Sequence, residues 1–156
     1  MQSFKEFAHN KRPQGMTIQK LDSLCKRANQ INDSFSGNCG MFAIGLAKFL
    51  KEKYKFSVDY GLMIPYHMEK TPNDLRYGDY DLMHVIVYVK ELDQGFDGSG
   101  LTKNAELKAI NNEYPNDGKI IYFPAPNLSI EQAIQWNTNY SISWQYYQNL
   151  FGKLDI

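Results

Sequence analysis

Apolar residues recur at three- and four-residue spacing over Ile18, Leu21, Leu24, Cys25, Ala28 and Ile31, with polar residues between them. That period lays one apolar stripe along a helix over residues 18–31, capped by Thr17. The turn-forming run Asn32-Asp33-Ser34-Phe35-Ser36-Gly37 then breaks the pattern. From Cys39 to about Lys53 the spacing changes in kind, because Met41, Phe42, Ala43, Ile44, Leu46, Ala47, Phe49 and Leu50 leave almost no polar face. A helix apolar nearly all round is central and covered on most sides. Asn38 is placed to cap it, and Lys51 and Lys53 suit the negative end of its dipole.

Alternation replaces helical spacing further on. Residues 56–65, with Val58, Tyr60, Leu62 and Ile64, predict a strand, and residues 66–80 a polar loop. Leu82 to Lys90 predicts the strongest strand of the chain, apolar on both faces and so covered on both sides. A turn near residues 90–94 leads to a short strand holding Phe96 and Asp97. A helix over 103–114, a strand over 119–124, and a last helix from a Ser129/Gln132 capping box to about Phe151 complete the order. Residues 1–16, interrupted by Pro13 and Gly15, predict a loose lead-in with a short helix near Phe4–Ala8. The plan is α+β: N-terminal helices, a central cysteine-bearing helix packed on a small antiparallel sheet, and a C-terminal helix.

Composition narrows the function classes. The 156 residues fit one domain, long enough to bury about two-thirds of the unfolded surface. Lysine plus arginine equals aspartate plus glutamate at 17 each, so no net field draws in phosphates, and nucleic acid is not an expected partner. No stretch approaches the roughly 18 to 20 apolar residues that span a bilayer. The start Met1-Gln2-Ser3-Phe4-Lys5-Glu6-Phe7 lacks the apolar core of a secretory signal. The expectation is a cytoplasmic protein without membrane partners, compatible with non-classical export as an effector. Two cysteines are too few for a disulfide framework, so both thiols are expected reduced. Cys25, within the first stripe, reads as a small buried hydrophobe.

Cys39 is different. It opens the central helix, where unpaired backbone N–H groups and the positive end of the macrodipole favour a thiolate. His84 begins the strongest strand, and Asp97 follows in Gly95-Phe96-Asp97-Gly98-Ser99-Gly100. Cysteine, histidine and aspartate in that order can serve as nucleophile, base and orienting acid. Opposed residues of an antiparallel pair share a face. His84 therefore sits opposite Asp97 if the turn centres on Lys90-Glu91, whereas a loop of residues 91–94 moves Asp97 toward Tyr88. Asp81 and Asp79 are then the rival orienting acids. Asp97 also reads as a turn acid before Gly98.

Gly37-Asn38-Cys39-Gly40-Met41-Phe42-Ala43, Met83-His84-Val85-Ile86-Val87 and Phe96-Asp97-Gly98-Ser99-Gly100 together resemble the papain-like fold. The likeness covers residues 30–125 and extends to NlpC/P60 amidases, transglutaminase-like proteins and papain-fold toxins or effectors. It implies a thiol enzyme acting on an amide or acyl bond of a protein or peptide: peptidase, amidase, deamidase or transglutaminase-like. Cys39 would attack the acyl carbon, His84 would carry the proton and Asp97 would fix the imidazole. It also implies two oxyanion donors, the backbone N–H of Cys39 and a side-chain amide from Asn38 or Asn32. The position six before the cysteine, glutamine in papain-like peptidases, is Asp33, which accepts rather than donates.

Two other readings compete. A silent member of the same fold would be a binding or inhibitor module, with Trp136, Tyr140, Trp144, Tyr146 and Tyr147 as its contact surface. A metal site would use Cys39, His84, His67 and an acid, yet no close ligand pair is present, so neither a metal nor a cofactor is expected. Met63, Met68 and Met83 read as core fillers, and His9 has no company.

Overall fold

The structure is a computed structural model that describes residues 15–34, 38–64, 84–102, 119–136 and 142–156. Within them the chain is α+β, with four helices against one five-stranded antiparallel sheet. The helices are α1 (Ile18–Ile31), α2 (Cys39–Tyr54), α3 (Leu128–Trp136) and α4 (Trp144–Leu154). The strands are β1 (Val58–Ile64), β2 (His84–Val89), β3 (Gln94–Asp97), β4 (Gly100–Thr102) and β5 (Lys119–Pro124), in the spatial order β4-β3-β2-β1-β5.

The first helix forms as its spacing predicts. Thr17 Oγ1 accepts the N–H of Lys20 at 3.2 Å, and Leu21, Leu24, Cys25 and Ala28 are buried, although Ile31 at the helix end is half exposed. The second is covered along nearly its whole length, packing on α4, α3 and strands β1 to β3. Phe42 meets Tyr147 and Phe151 of α4 edge-on at 5.3 and 5.2 Å between ring centroids. The two helices come closest at Gly45, where a Cβ would lie 2.7 Å from both Trp144 O and Tyr147 Cβ. Lys55, left-handed at φ 58°, ends α2 and turns the chain into β1.

Three expectations change. The single terminal helix is two, and Ser143 starts the second by accepting from Tyr146 N at 3.3 Å. The first is capped two residues earlier than predicted, by Asn127 Oδ1 on Ile130 N at 3.1 Å, rather than by Ser129. An unpredicted strand, β4, also follows the Asp97 turn. The aromatic segment is divided: Tyr147 is fully buried, Trp144 lies under Lys48, and Trp136 and Tyr146 are exposed. The lead-in before residue 15, the loop of residues 66–80, the helix over 103–114, Tyr140, His9, His67, Met68 and Met83 lie outside the described residues. Among the described residues no helix is long and apolar enough to cross a membrane.

Candidate active site

The hairpin between β2 and β3 sets the geometry. Val87 pairs with Phe96, Tyr88 with Gly95 and Val89 with Gln94, so the connection is the four residues from Lys90 to Asp93. Asp93 takes φ 51°, a left-handed conformation that aspartate tolerates, which a two-residue turn at Lys90-Glu91 lacks. Continuing the register sets Asp97 beside Ile86, between the two expected arrangements and diagonal to His84. A diagonal neighbour on an antiparallel pair is within reach of a long side chain. His84 makes that reach: its Nε2 lies 2.8 Å from Asp97 Oδ2. Asp79 and Asp81, the rival acids, lie outside the described residues.

Cys39 opens α2 and is half-buried, and its thiol is one of the groups that favour the charged form of the same imidazole. Burial works against the imidazolium of His84, but the hydrogen bonds and negative charge of Asp97 and Cys39 outweigh it. They push its pKa up from 6.5 to about 9. Burial likewise opposes the Asp97 carboxylate, and hydrogen bonds from His84 and Ser99 outweigh it, holding the group below its ordinary value. The pair is therefore built to stand as imidazolium and carboxylate.

The two oxygens of Asp97 have different partners. Oδ2 faces His84, while Oδ1 accepts from Ser99 N at 2.8 Å and from Ser99 Oγ at 2.5 Å. The turn is seated on α1. A Cβ on Gly98 would fall 2.1 Å from Ser34 Oγ and 2.7 Å from Asn29 Oδ1, and one on Gly100 would fall 2.1 Å from Asp22 Oδ1. Asp22 also accepts from Leu101 N at 2.7 Å. Asn29 Oδ1 in turn holds Ser34, through its N–H and its hydroxyl, both at 2.7 Å. One helix thus fixes both the turn bearing the acid and the start of the connection that leads to Cys39.

The amide candidates differ. Asn38 precedes α2 but caps it only by position, since its side chain makes no cap hydrogen bond; it is 5 % exposed, and its Oδ1 has no partner among the described residues. Asn32 donates its amide to the Tyr146 hydroxyl, and its carbonyl accepts from the Tyr147 hydroxyl at 3.3 Å. Cys25 is fully buried, and burial together with the charges of Asp97 and Asp22 raises its thiol well above the ordinary range. Sequence reasoning missed Ser99, Asn29 and Asp22, and it read Tyr147 as contact surface where the side chain is buried beneath Asn32. Only Ser99 carried a local signal, because aspartate accepts from the N–H two residues on. Among the described residues no group of three histidine, cysteine, aspartate or glutamate side chains is arranged to hold a metal ion.

Compared with protein-family models, with characterised proteins and with solved structures, the chain matches none.

Proposed function

We propose that this chain is a thiol enzyme of papain-like plan, acting on an amide or acyl bond through Cys39, His84 and Asp97. The observation that carries the reading is the place of His84, hydrogen-bonded to the buried Asp97 carboxylate at 2.8 Å and raised in pKa by both Asp97 and the Cys39 thiol. Asp97 fixes the ring so that one nitrogen is held for the sulfur, the division of labour a nucleophile–base pair requires.

The reaction follows from these positions. Cys39 Sγ attacks the acyl carbon as its proton resides on His84; the bond to the leaving amine then breaks, that amine takes the proton, and a thioester remains. His84 next takes a proton from water, whose oxygen attacks the thioester carbon, and the thiol returns as the acid departs. An amine in place of water gives transfer instead of hydrolysis. The N–H of Cys39, in the first turn of α2 where no intrahelical acceptor exists, serves the developing oxyanion. The Asn38 carboxamide is the neighbouring side chain that can join it.

Alkylation by iodoacetamide at about pH 6.5, read by peptide mapping, tests this reading. Cys39 should be labelled and buried Cys25 should not, and His84→Ala should slow Cys39 labelling by about tenfold. Equal rates with and without His84 would remove the base from the mechanism and turn attention to a binding role.

A further inference from the structure

We propose that Ser99 is a positioning residue of this site: by two hydrogen bonds to Oδ1 it locks the Asp97 carboxylate so that Oδ2 is presented to His84. The inference rests on the reading of Cys39, His84 and Asp97 as one site. A carboxylate on a strand end can rotate about its last bond, and rotation would withdraw Oδ2 from Nε2. Both Ser99 bonds fall on the oxygen that His84 leaves untouched, at 2.8 Å from the backbone N–H and 2.5 Å from the hydroxyl. Ser99 itself is exposed, so its hydroxyl fills no core space, while the carboxylate it holds is 6 % exposed.

The backbone behind Ser99 is equally constrained. Gly98 and Gly100 flank it, the former against Ser34 and Asn29, the latter at φ +93° against Asp22. Neither site has room for a side chain, so the turn is seated before the hydroxyl acts. The titratable groups around Asp97 are His84 on β2, Cys39 on α2, and Cys25 and Asp22 on α1, with Lys26 paired to Asp22 at 3.0 Å. Among these, His84 is the one placed to report a change in the carboxylate's aim.

The test is an NMR titration of the His84 imidazole in the full chain, assigned with His84→Gln, for wild type, Ser99→Ala and Ser99→Thr. Ser99→Ala should lower the midpoint by about half a pH unit, since one hydrogen bond to the carboxylate is lost while the backbone one remains. Ser99→Thr, which keeps the hydroxyl, should restore it. A midpoint unmoved in Ser99→Ala, with the melting temperature also unchanged, overturns the inference. Iodoacetamide labelling of Cys39 in the same proteins separates the two ideas. If the midpoint falls in Ser99→Ala while labelling ignores His84 throughout, Ser99 does position Asp97 and it is the enzyme reading that fails.

Discussion

His84 and Asp97 meet on the diagonal of the β2–β3 pair, and the 2.8 Å hydrogen bond from ring to carboxylate spans that offset. Direct opposition would have needed a two-residue turn at Lys90-Glu91, two residues shorter than the connection observed. The diagonal lets a relaxed four-residue connection and a buried ion pair coexist.

That pair gives stability a pH dependence of fixed sign. His84 binds its proton up to about pH 9 in the folded chain, against 6.5 when unfolded. Its contribution is therefore fully present below 6.5 and is lost as pH rises through about 9. At the acid end Asp97 is held below 3.8, so the same pair stabilises above that value and fails as pH falls further. Urea denaturation from about pH 6 to about 9.5 should show a loss on the order of 2 to 3 kcal/mol. Asp97→Asn should flatten that slope, and an undiminished slope would assign it to another group.

Much of this was legible in the chain, for reasons that differ by residue. Leu21, Leu24, Cys25 and Ala28 announce their helix because burial on one face leaves a 3.6-residue period. The covered state of α2 follows from its lack of a polar face. Cys39, His84 and Asp97 could be singled out because each begins or ends an element whose place was already set. What stayed hidden depends on residues far apart in sequence. Asn29 beneath Gly98 and Tyr147 beneath Asn32 are products of packing that no local period records. The break between α3 and α4 was missed because neither proline nor glycine occurs over residues 128–151, although the apolar spacing of Ile130, Ala133 and Ile134 lapses at Asn137 and Thr138.

Glycine substitutions should separate close approach from helix propensity. At Gly45 a Cβ would meet the backbone and Tyr147 of α4 at 2.7 Å, so Gly45→Ala should cost about 2 kcal/mol although alanine favours helices. Gly152, in α4 with open space around it, should gain roughly 0.5 kcal/mol as alanine. Chemical denaturation of the two variants decides this, and a stabilised Gly45→Ala would show that α2 and α4 can part at little cost.

The turn that carries Asp97, buried except at Ser99, should be sensitive to any added side chain. Gly100→Ala combines a Cβ 2.1 Å from Asp22 Oδ1 with φ +93°, and should cost about 2 kcal/mol. It should also slow Cys39 alkylation near neutral pH, because the acid moves with its turn. Lost stability with unaltered alkylation would mean that Asp97 keeps its aim when the turn shifts.

Glu131 supplies a second buried ionic group, remote in role from the thiol. Its carboxylate, in a residue 4 % exposed, takes Lys48 Nζ at 3.1 Å on one oxygen and the Tyr60 hydroxyl at 3.1 Å on the other. Lys48 also lies 4.7 Å above the Trp144 ring, so α2, β1, α3 and α4 converge on one charge pair. Removing a single partner from such a pair strands the other, and Glu131→Ala should cost about 3 kcal/mol. Replacing both ends by apolar groups, as Lys48→Met with Glu131→Leu, should cost far less, because the desolvation of two charges is avoided. A double-mutant cycle by urea denaturation measures the difference. Additive losses would mean that the side chains hold their elements independently; a double variant near wild-type stability would mean that α3 is docked by its apolar face, with the ion pair fixing only its register on the core helix.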